Sequence, residues 1–183
     1  MIVHRPLLTS HLSPLTCARP DSTLDFMTHI LLVCTGNTCR SPLSEALLKR
    51  KLAERGVDGV EVSSAGTGAW DGAPASEGAY LVALEHGLDL SAHRARLLTR
   101  ELVGTADVVL TMARHHRARV EQLGAGIQAH LLGEYAGRSG ADAEVRDPFG
   151  GDLEGYRETF VELDALLGGV VERLERERLG DRR

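Results

Sequence analysis

The stretch Ile30-Leu31-Leu32-Val33-Cys34-Thr35-Gly36-Asn37-Thr38-Cys39-Arg40-Ser41-Pro42 decides how the rest of the chain is read. Its first four residues form a continuous apolar run, the pattern of a central parallel strand covered on both faces. Its end opens a helix, with Ser41 as N-cap and Pro42 at the first helical position. Leu43, Ala46, Leu47 and the stem of Lys51 then follow one face until Gly56. Between strand and helix, Gly36 and Asn37 tolerate positive φ, so the loop can curl and turn backbone N–H groups inward as an anion-binding nest. The helix dipole adds about half a positive charge at the same point. Arg40 adds a planar guanidinium suited to bidentate phosphate recognition. In open parallel sheets the carboxyl ends of strands are where ligands bind.

Working outward, short apolar runs keep alternating with amphipathic segments, which makes the domain α/β with a parallel sheet. Val60–Ser63 reads as a second strand and Ala75–His86 as a helix closed by Gly87. Thr99–Leu102 reads as one helical turn, Asp107–Met112 as a third strand, Arg114–Leu123 as a helix and Ile127–Leu132 as a fourth strand. In the last helix Leu153, Tyr156, Phe160, Leu163, Leu167, Val170, Val171 and Leu174 recur at steps of three or four, one buried face. Before it lies a long loop, Gly133–Gly151, holding Asp147-Pro148-Phe149-Gly150-Gly151. Loops of that length in compact domains are more often functional than idle.

Composition bounds the function. A chain of 183 residues, 43% of them hydrophobic, is one domain's worth with enough apolar side chains for a core. A net charge of −5 argues against a general nucleic-acid or anionic-lipid binder. No apolar run approaches the ~20 residues that span a bilayer. The cysteines are Cys17, Cys34 and Cys39, an odd number in a chain too long to need disulfide staples, which points to the cytoplasm. Residues 1–26 hold Pro6, Pro14 and Pro20 and sustain no period, so they are expected to be a disordered extension or to follow from a misassigned start. Residues 27–178 are expected to form a single domain, with 179–183 as a charged tail.

The field at the loop also acts on Cys34. A thiol at a helix N-terminus beside a cation ionises well below its free value of ~8.5, and a thiolate facing a phosphate cradle is a nucleophile for phosphoryl transfer. Ser41 can donate a hydrogen bond to that thiolate besides capping. The commoner fate of a cysteine, buried and inert, stays open at this point. Cys34 and Cys39 also raise a metal site or a redox pair. A zinc site needs four ligands, no second Cys/His cluster follows, and His115 and His116 are expected to point apart on their helix. A nucleotide loop lacks its lysine here, and Gly66-Thr67-Gly68 lacks the third glycine of a dinucleotide fingerprint.

The segment Val33–Pro42 closely resembles the phosphate loop of the low-molecular-weight protein tyrosine phosphatase family, and Asp147-Pro148 resembles that family's general-acid motif. The likeness spans roughly Thr28–Leu174, including Ser64–Trp70, the His93 segment and Ala106–Met112. It implies a four-stranded parallel sheet flanked by helices on both faces. It further implies that Cys34 attacks phosphorus, that Asp147 protonates the leaving group, and that Arg40 holds phosphoryl oxygens with the amides of Thr35, Gly36, Asn37, Thr38 and Cys39. Ser41 would support the thiolate, His93 would support the loop through Asn37, and Trp70 would stand at the rim of the substrate cleft. No metal or other cofactor is implied. The partners implied are phosphorylated proteins, with no nucleic acid and no membrane, and a monomer is expected.

Two departures bear on the substrate. Thr38 stands where tyrosine phosphatases of the family commonly carry an apolar β-branched residue, and Phe149 follows the acid motif where they tend to have tyrosines. Both resemble the protein arginine phosphatase branch, and phosphoarginine is the favoured substrate over phosphotyrosine. Phe149 offers a face for a planar cation. An arsenate reductase of the same superfamily needs cysteines far downstream, and none follows Cys39. A non-catalytic phosphoprotein-binding module would need only the cradle, without Cys34 and Asp147. Redox sensitivity is expected from the spacing of Cys34 and Cys39, the second thiol being placed to resolve an oxidised first.

Overall fold

The computed structural model describes residues 27–181, so the expectations for residues 1–26 lie outside it. Four parallel strands, β1 (Thr28–Cys34), β2 (Val60–Gly66), β3 (Val108–Thr111) and β4 (Ala129–Leu131), form one sheet in the order β2-β1-β3-β4. Helices α1 (Arg40–Glu54), α2 (Glu77–Glu85), α3 (Arg100–Thr105), α4 (Arg114–Gln122), α5 (Leu132–Tyr135) and α6 (Leu153–Asp181) connect and cover it.

Side chains of a strand alternate between faces, and β1 shows why its sequence is apolar throughout. Ile30, Leu32 and Cys34 enter a core with Leu43, Leu47, Leu110, Phe160, Leu163 and Leu167, beneath α1, α2 and α6. Leu31 and Val33 enter a second core with Val103, Val109, Val120 and Ala129, beneath α3 and α4. From β1 the chain goes to β2 on one side, then returns to β3 on the other. This reversal opens a crevice at the carboxyl end of β1, the usual ligand position in such sheets. Cys34 is the last residue of β1.

Several boundaries differ from the sequence reading for physical reasons. The N-cap of α1 is Cys39, not Ser41, and no side chain caps it, because the Ser41 hydroxyl is turned inward to other partners. The fourth strand shrinks to Ala129–Leu131: Ile127 is 96% exposed, an apolar residue that packs on nothing and so adds nothing to the strand. The long loop Gly133–Gly151 is not structureless. It begins within α5 and carries a 3₁₀ turn, Gly140–Ala143. The two pack closely enough that a Cβ on Gly133 would lie 2.5 Å from the Ala143 carbonyl oxygen. Helix α6 runs through Asp181, into the stretch expected as a charged tail, because its i,i+4 charge pairs, such as Arg173 with Glu177, continue the helix beyond its apolar face. Among the described residues no helix is long and apolar enough to cross a membrane.

Candidate active site

Between β1 and α1 the backbone curls as its composition allows. Asn37 is the one non-glycine residue with positive φ among the described residues, at 53°, which asparagine tolerates better than most. The N–H groups of Gly36, Asn37, Thr38 and Cys39 donate to no backbone carbonyl, as an anion-binding loop requires. The loop is clamped from the β2 side. Thr67 N–H donates to Cys34 O and Gly68 N–H to Thr35 O, both at 2.9 Å. Gly66 lies so near that a Cβ there would sit 2.5 Å from Thr35 O and 2.7 Å from the Asn37 nitrogen. Gly66 is therefore required by close approach, a role that the absence of a dinucleotide fingerprint left unassigned.

Beneath the loop lies a buried polar network with an assignable direction. The Arg96 backbone N–H, which can only donate, reaches Asn37 Oδ1 at 2.9 Å and so fixes the amide's orientation. Asn37 Nδ2 then donates to Ser41 Oγ and to Ser64 Oγ, each at 2.9 Å. Ser64 donates onward to Glu45 Oε2 at 2.6 Å. Because Ser41 Oγ accepts from Asn37, its own proton is free for Cys34 Sγ, 3.0 Å away. His93 Nε2 lies 2.7 Å from the Asn37 carbonyl oxygen, the loop contact that the resemblance implies for it.

Arg40 is 3% exposed and projects from the first turn of α1. Its Nη1 donates to Val145 O at 3.1 Å, and its Nη2 pairs with Asp147 Oδ2. The Nε–H is buried and has no partner among the described residues. An unpaired buried donor is costly, so this N–H is the group an oxyanion in the loop would satisfy. Asp147 also accepts from the Phe149 N–H at 3.2 Å, a short turn that Pro148 stiffens.

The sequence-predicted residues converge to differing degrees. Cys34, Thr35, Gly36, Thr38, Cys39, Arg40, Asp147 and Phe149 line one cavity of about 160 Å³. Ser41, Asn37 and His93 stand behind it. Trp70 is 84% exposed and does not line that cavity. Phe149 is 74% exposed at its mouth. A larger open cleft beyond Asp147 shares only Arg40 and Asp147 with this cavity and contains no cysteine. Among the described residues no group of three or more His, Cys, Asp or Glu side chains is placed to hold a metal.

Sequence reasoning weighed His116 only as a metal ligand and gave it no other role. Its ring and that of His115 do not point apart: their centroids are 3.9 Å from each other, tilted by 52°. His116 is fully buried, with Nε2 2.8 Å from Thr35 Oγ1. Burial, reinforced by the nearby His115 and Arg40, pushes its pKa down to about 3, so the ring is neutral at physiological pH. The available signal was its spacing from Val120, which puts a histidine on the buried face of α4. Glu45 and Ser76 were also missed, and Ser64 and Tyr156 were named only as part of a family-like segment and of a buried helix face, because ordinary serines, acids and tyrosines carry no mark of a site until the fold brings them to the loop.

A cysteine at the end of β1 beside a loop of free amides, sharing one cavity with an aspartate and contacted by the Ser41 hydroxyl, resembles the arrangement of cysteine-dependent phosphatases. The chain belongs to the low molecular weight phosphotyrosine protein phosphatase family, whose model matches residues 29–179. It is 40% identical over 150 residues to a protein-arginine-phosphatase of Geobacillus stearothermophilus, covering 81% of this chain and 97% of that protein. It is 38% identical over 156 residues to low molecular weight protein-tyrosine phosphatase A of Mycobacterium tuberculosis, covering 81% and 94%. Among solved structures it is similar to a mutant of the YwlE arginine phosphatase with a phosphorylated active-site serine, at 37% identity. The TM-score is 0.77, and 82% of this chain and 98% of that one are covered.

Proposed function

We propose that this protein phosphatase removes phosphate from phosphoarginine in proteins, through a phosphocysteine at Cys34 and without a metal. The observation that carries the reading is that Thr38 and Phe149 line the cavity together with Cys34. Thr38 brings a hydroxyl, 3.6 Å from Cys39 Sγ, to a position where an apolar side chain would suit an aromatic ring, and Phe149 stands at the mouth with an exposed face for a planar guanidinium. Cys34 Sγ attacks phosphorus as the P–N bond breaks, and Asp147 gives its proton to the leaving nitrogen. Water then attacks the phosphocysteine, Asp147 takes its proton, and the S–P bond breaks to release inorganic phosphate and the thiolate. Arg40 Nε and the loop N–H groups hold the equatorial oxygens through both steps. The likeness to arginine phosphatases supports this reading. So does the phosphorylated active-site serine of the YwlE mutant, which is what transfer to a side-chain nucleophile leaves behind.

A second reading, phosphotyrosine, is favoured by the exposed Phe149 ring, on which a tyrosine would also stack. Side-by-side turnover of phosphoarginine and phosphotyrosine peptides decides between them, and a higher kcat/KM on phosphotyrosine overturns the first. Thr38→Ile is expected to lower the phosphoarginine-to-phosphotyrosine ratio of kcat/KM by about tenfold, since a polar partner of the guanidine is replaced by an apolar wall. A ratio unchanged by the substitution removes Thr38 from the specificity argument.

The redox expectation takes a definite form. Both thiols are buried, and Cys39 Sγ donates to Ser76 Oγ at 3.1 Å and lies 3.5 Å from the Tyr156 hydroxyl. Peroxide converts the Cys34 thiolate to a sulfenic acid. Cys39 then attacks that sulfur, forming a disulfide and expelling water. After a brief peroxide exposure and thiol reductant, the wild type is expected to regain most of its activity and Cys39→Ala little of it. Equal recovery, with no intramolecular disulfide by mass spectrometry, refutes a resolving role.

A further inference from the structure

Most donors and acceptors around the cavity have a task in holding phosphate or the thiolate, but one buried group does not. His116 on α4 is fully enclosed, its Nδ1 has no partner among the described residues, and its Nε2 spends its one hydrogen bond on the Thr35 hydroxyl. A neutral imidazole has one N–H, on either nitrogen. If Nδ1 carried it, a buried N–H would be left unpaired. If Nε2 carries it, only a lone pair is left, and unpaired acceptors are tolerated more readily than orphaned N–H groups. The ring therefore donates from Nε2 to Thr35 Oγ1. That bond occupies one lone pair of the hydroxyl and pins its position, leaving the second lone pair and the proton unused.

Thr35 is exposed, follows the nucleophile directly and lines the same cavity. Its backbone is also fixed, its carbonyl accepting from Gly68 N–H. The loop amides and Arg40 are donors, as phosphate demands. A guanidine leaving group carries N–H donors of its own and needs acceptors. Within the cavity, besides Asp147, which is engaged as the proton donor, the side-chain acceptors are the hydroxyls of Thr38 and Thr35.

We infer that Thr35 is a specificity-determining residue whose hydroxyl accepts an N–H of the guanidine leaving group, and that His116 is its positioning residue. The inference rests on the phosphoarginine reading above and adds a second hydroxyl to the acceptor wall. His116 makes no contact with the substrate. It acts by holding Thr35 Oγ1 in one place, so that the acceptor is preorganised instead of rotating with solvent.

The test compares kcat/KM on a phosphoarginine peptide with that on p-nitrophenyl phosphate, whose leaving group offers no N–H. Thr35→Val, which keeps the shape and removes the hydroxyl, is expected to lower the ratio about tenfold, one well-placed hydrogen bond. His116→Leu is expected to lower it in the same direction, and adding it to Thr35→Val to lower it no further. His116→Gln, whose amide can still donate to Thr35 Oγ1, is expected to restore most of the wild-type ratio. Thermal melts check that each variant is folded, and any variant that is not leaves Thr35→Val, on the exposed side of the loop, to decide. A Thr35→Val ratio within twofold of wild type overturns the inference, as does a double variant whose ratio falls by the product of the single effects. A wild type that prefers aryl phosphates instead overturns the phosphoarginine reading itself, which is a separate result read from the unmutated enzyme.

Discussion

Cys34→Ser is expected to lower kcat by roughly 10⁴-fold or more, the loss typical of removing a catalytic nucleophile. The substitution changes one buried atom and little of the shape, so the fold and the loop remain. What is lost is the sulfur nucleophile: a serine oxygen, held by the same Ser41 contact, is a far weaker nucleophile and a poorer leaving group from phosphorus than sulfur. Steady-state release of inorganic phosphate from a phosphopeptide is the measurement. Phosphopeptide binding is expected to persist, because Arg40 Nε and the amides are untouched. The comparison therefore also separates an enzyme from a binding module: full turnover in Cys34→Ser would sink the nucleophile.

How much of this was readable from the residues depends on whether their information is local. The β1 run, the curl at Gly36-Asn37 and the helix opening at Arg40 to Pro42 are decided within a few residues, and the sequence alone places them to within a residue or two. Ser41 shows the limit. As a serine before a proline it reads as a cap, and only the positions of Asn37 and Cys34 reveal that its hydroxyl faces inward. Ile127 misled for the opposite reason, since a β-branched residue beside a strand extends the apolar pattern whether or not anything packs on it. The polar network from Glu45 to Ser64 to Asn37 joins α1, β2 and the loop. His116 reaches Thr35 across 81 residues. Partners so far apart in sequence are set by strand order and register, which no local pattern encodes. The resemblance carried the positions of Cys34, Arg40, Asp147 and His93. It gave no role to His116, to Gly66 within the Ser64–Trp70 segment, or to Tyr156 beyond its place on the buried face of α6; the fold alone brings their contacts to the site.

Asp147→Ala is expected to lower kcat on a phosphoarginine peptide by about 10²- to 10³-fold, within the range of general acid catalysis. It is also expected to lower KM. Both follow from the same contact. Asp147 Oδ2 pairs with Arg40 Nη2, so the carboxylate holds the guanidinium in place but also competes with incoming phosphate for it. Removing the carboxylate takes away a negative charge beside the anion site and the proton donor for the leaving group together. Arg40 keeps its bond to Val145 O, so the guanidinium stays seated, and its buried environment keeps the freed charge effective. Single-turnover experiments should show slower formation of the phosphoenzyme, and its accumulation wherever hydrolysis slows more than attack. A good leaving group such as p-nitrophenolate needs little protonation, so the defect on p-nitrophenyl phosphate should be several-fold smaller than on the peptide. A kcat within threefold of wild type on both substrates would show that Asp147 serves Arg40 and not the leaving group.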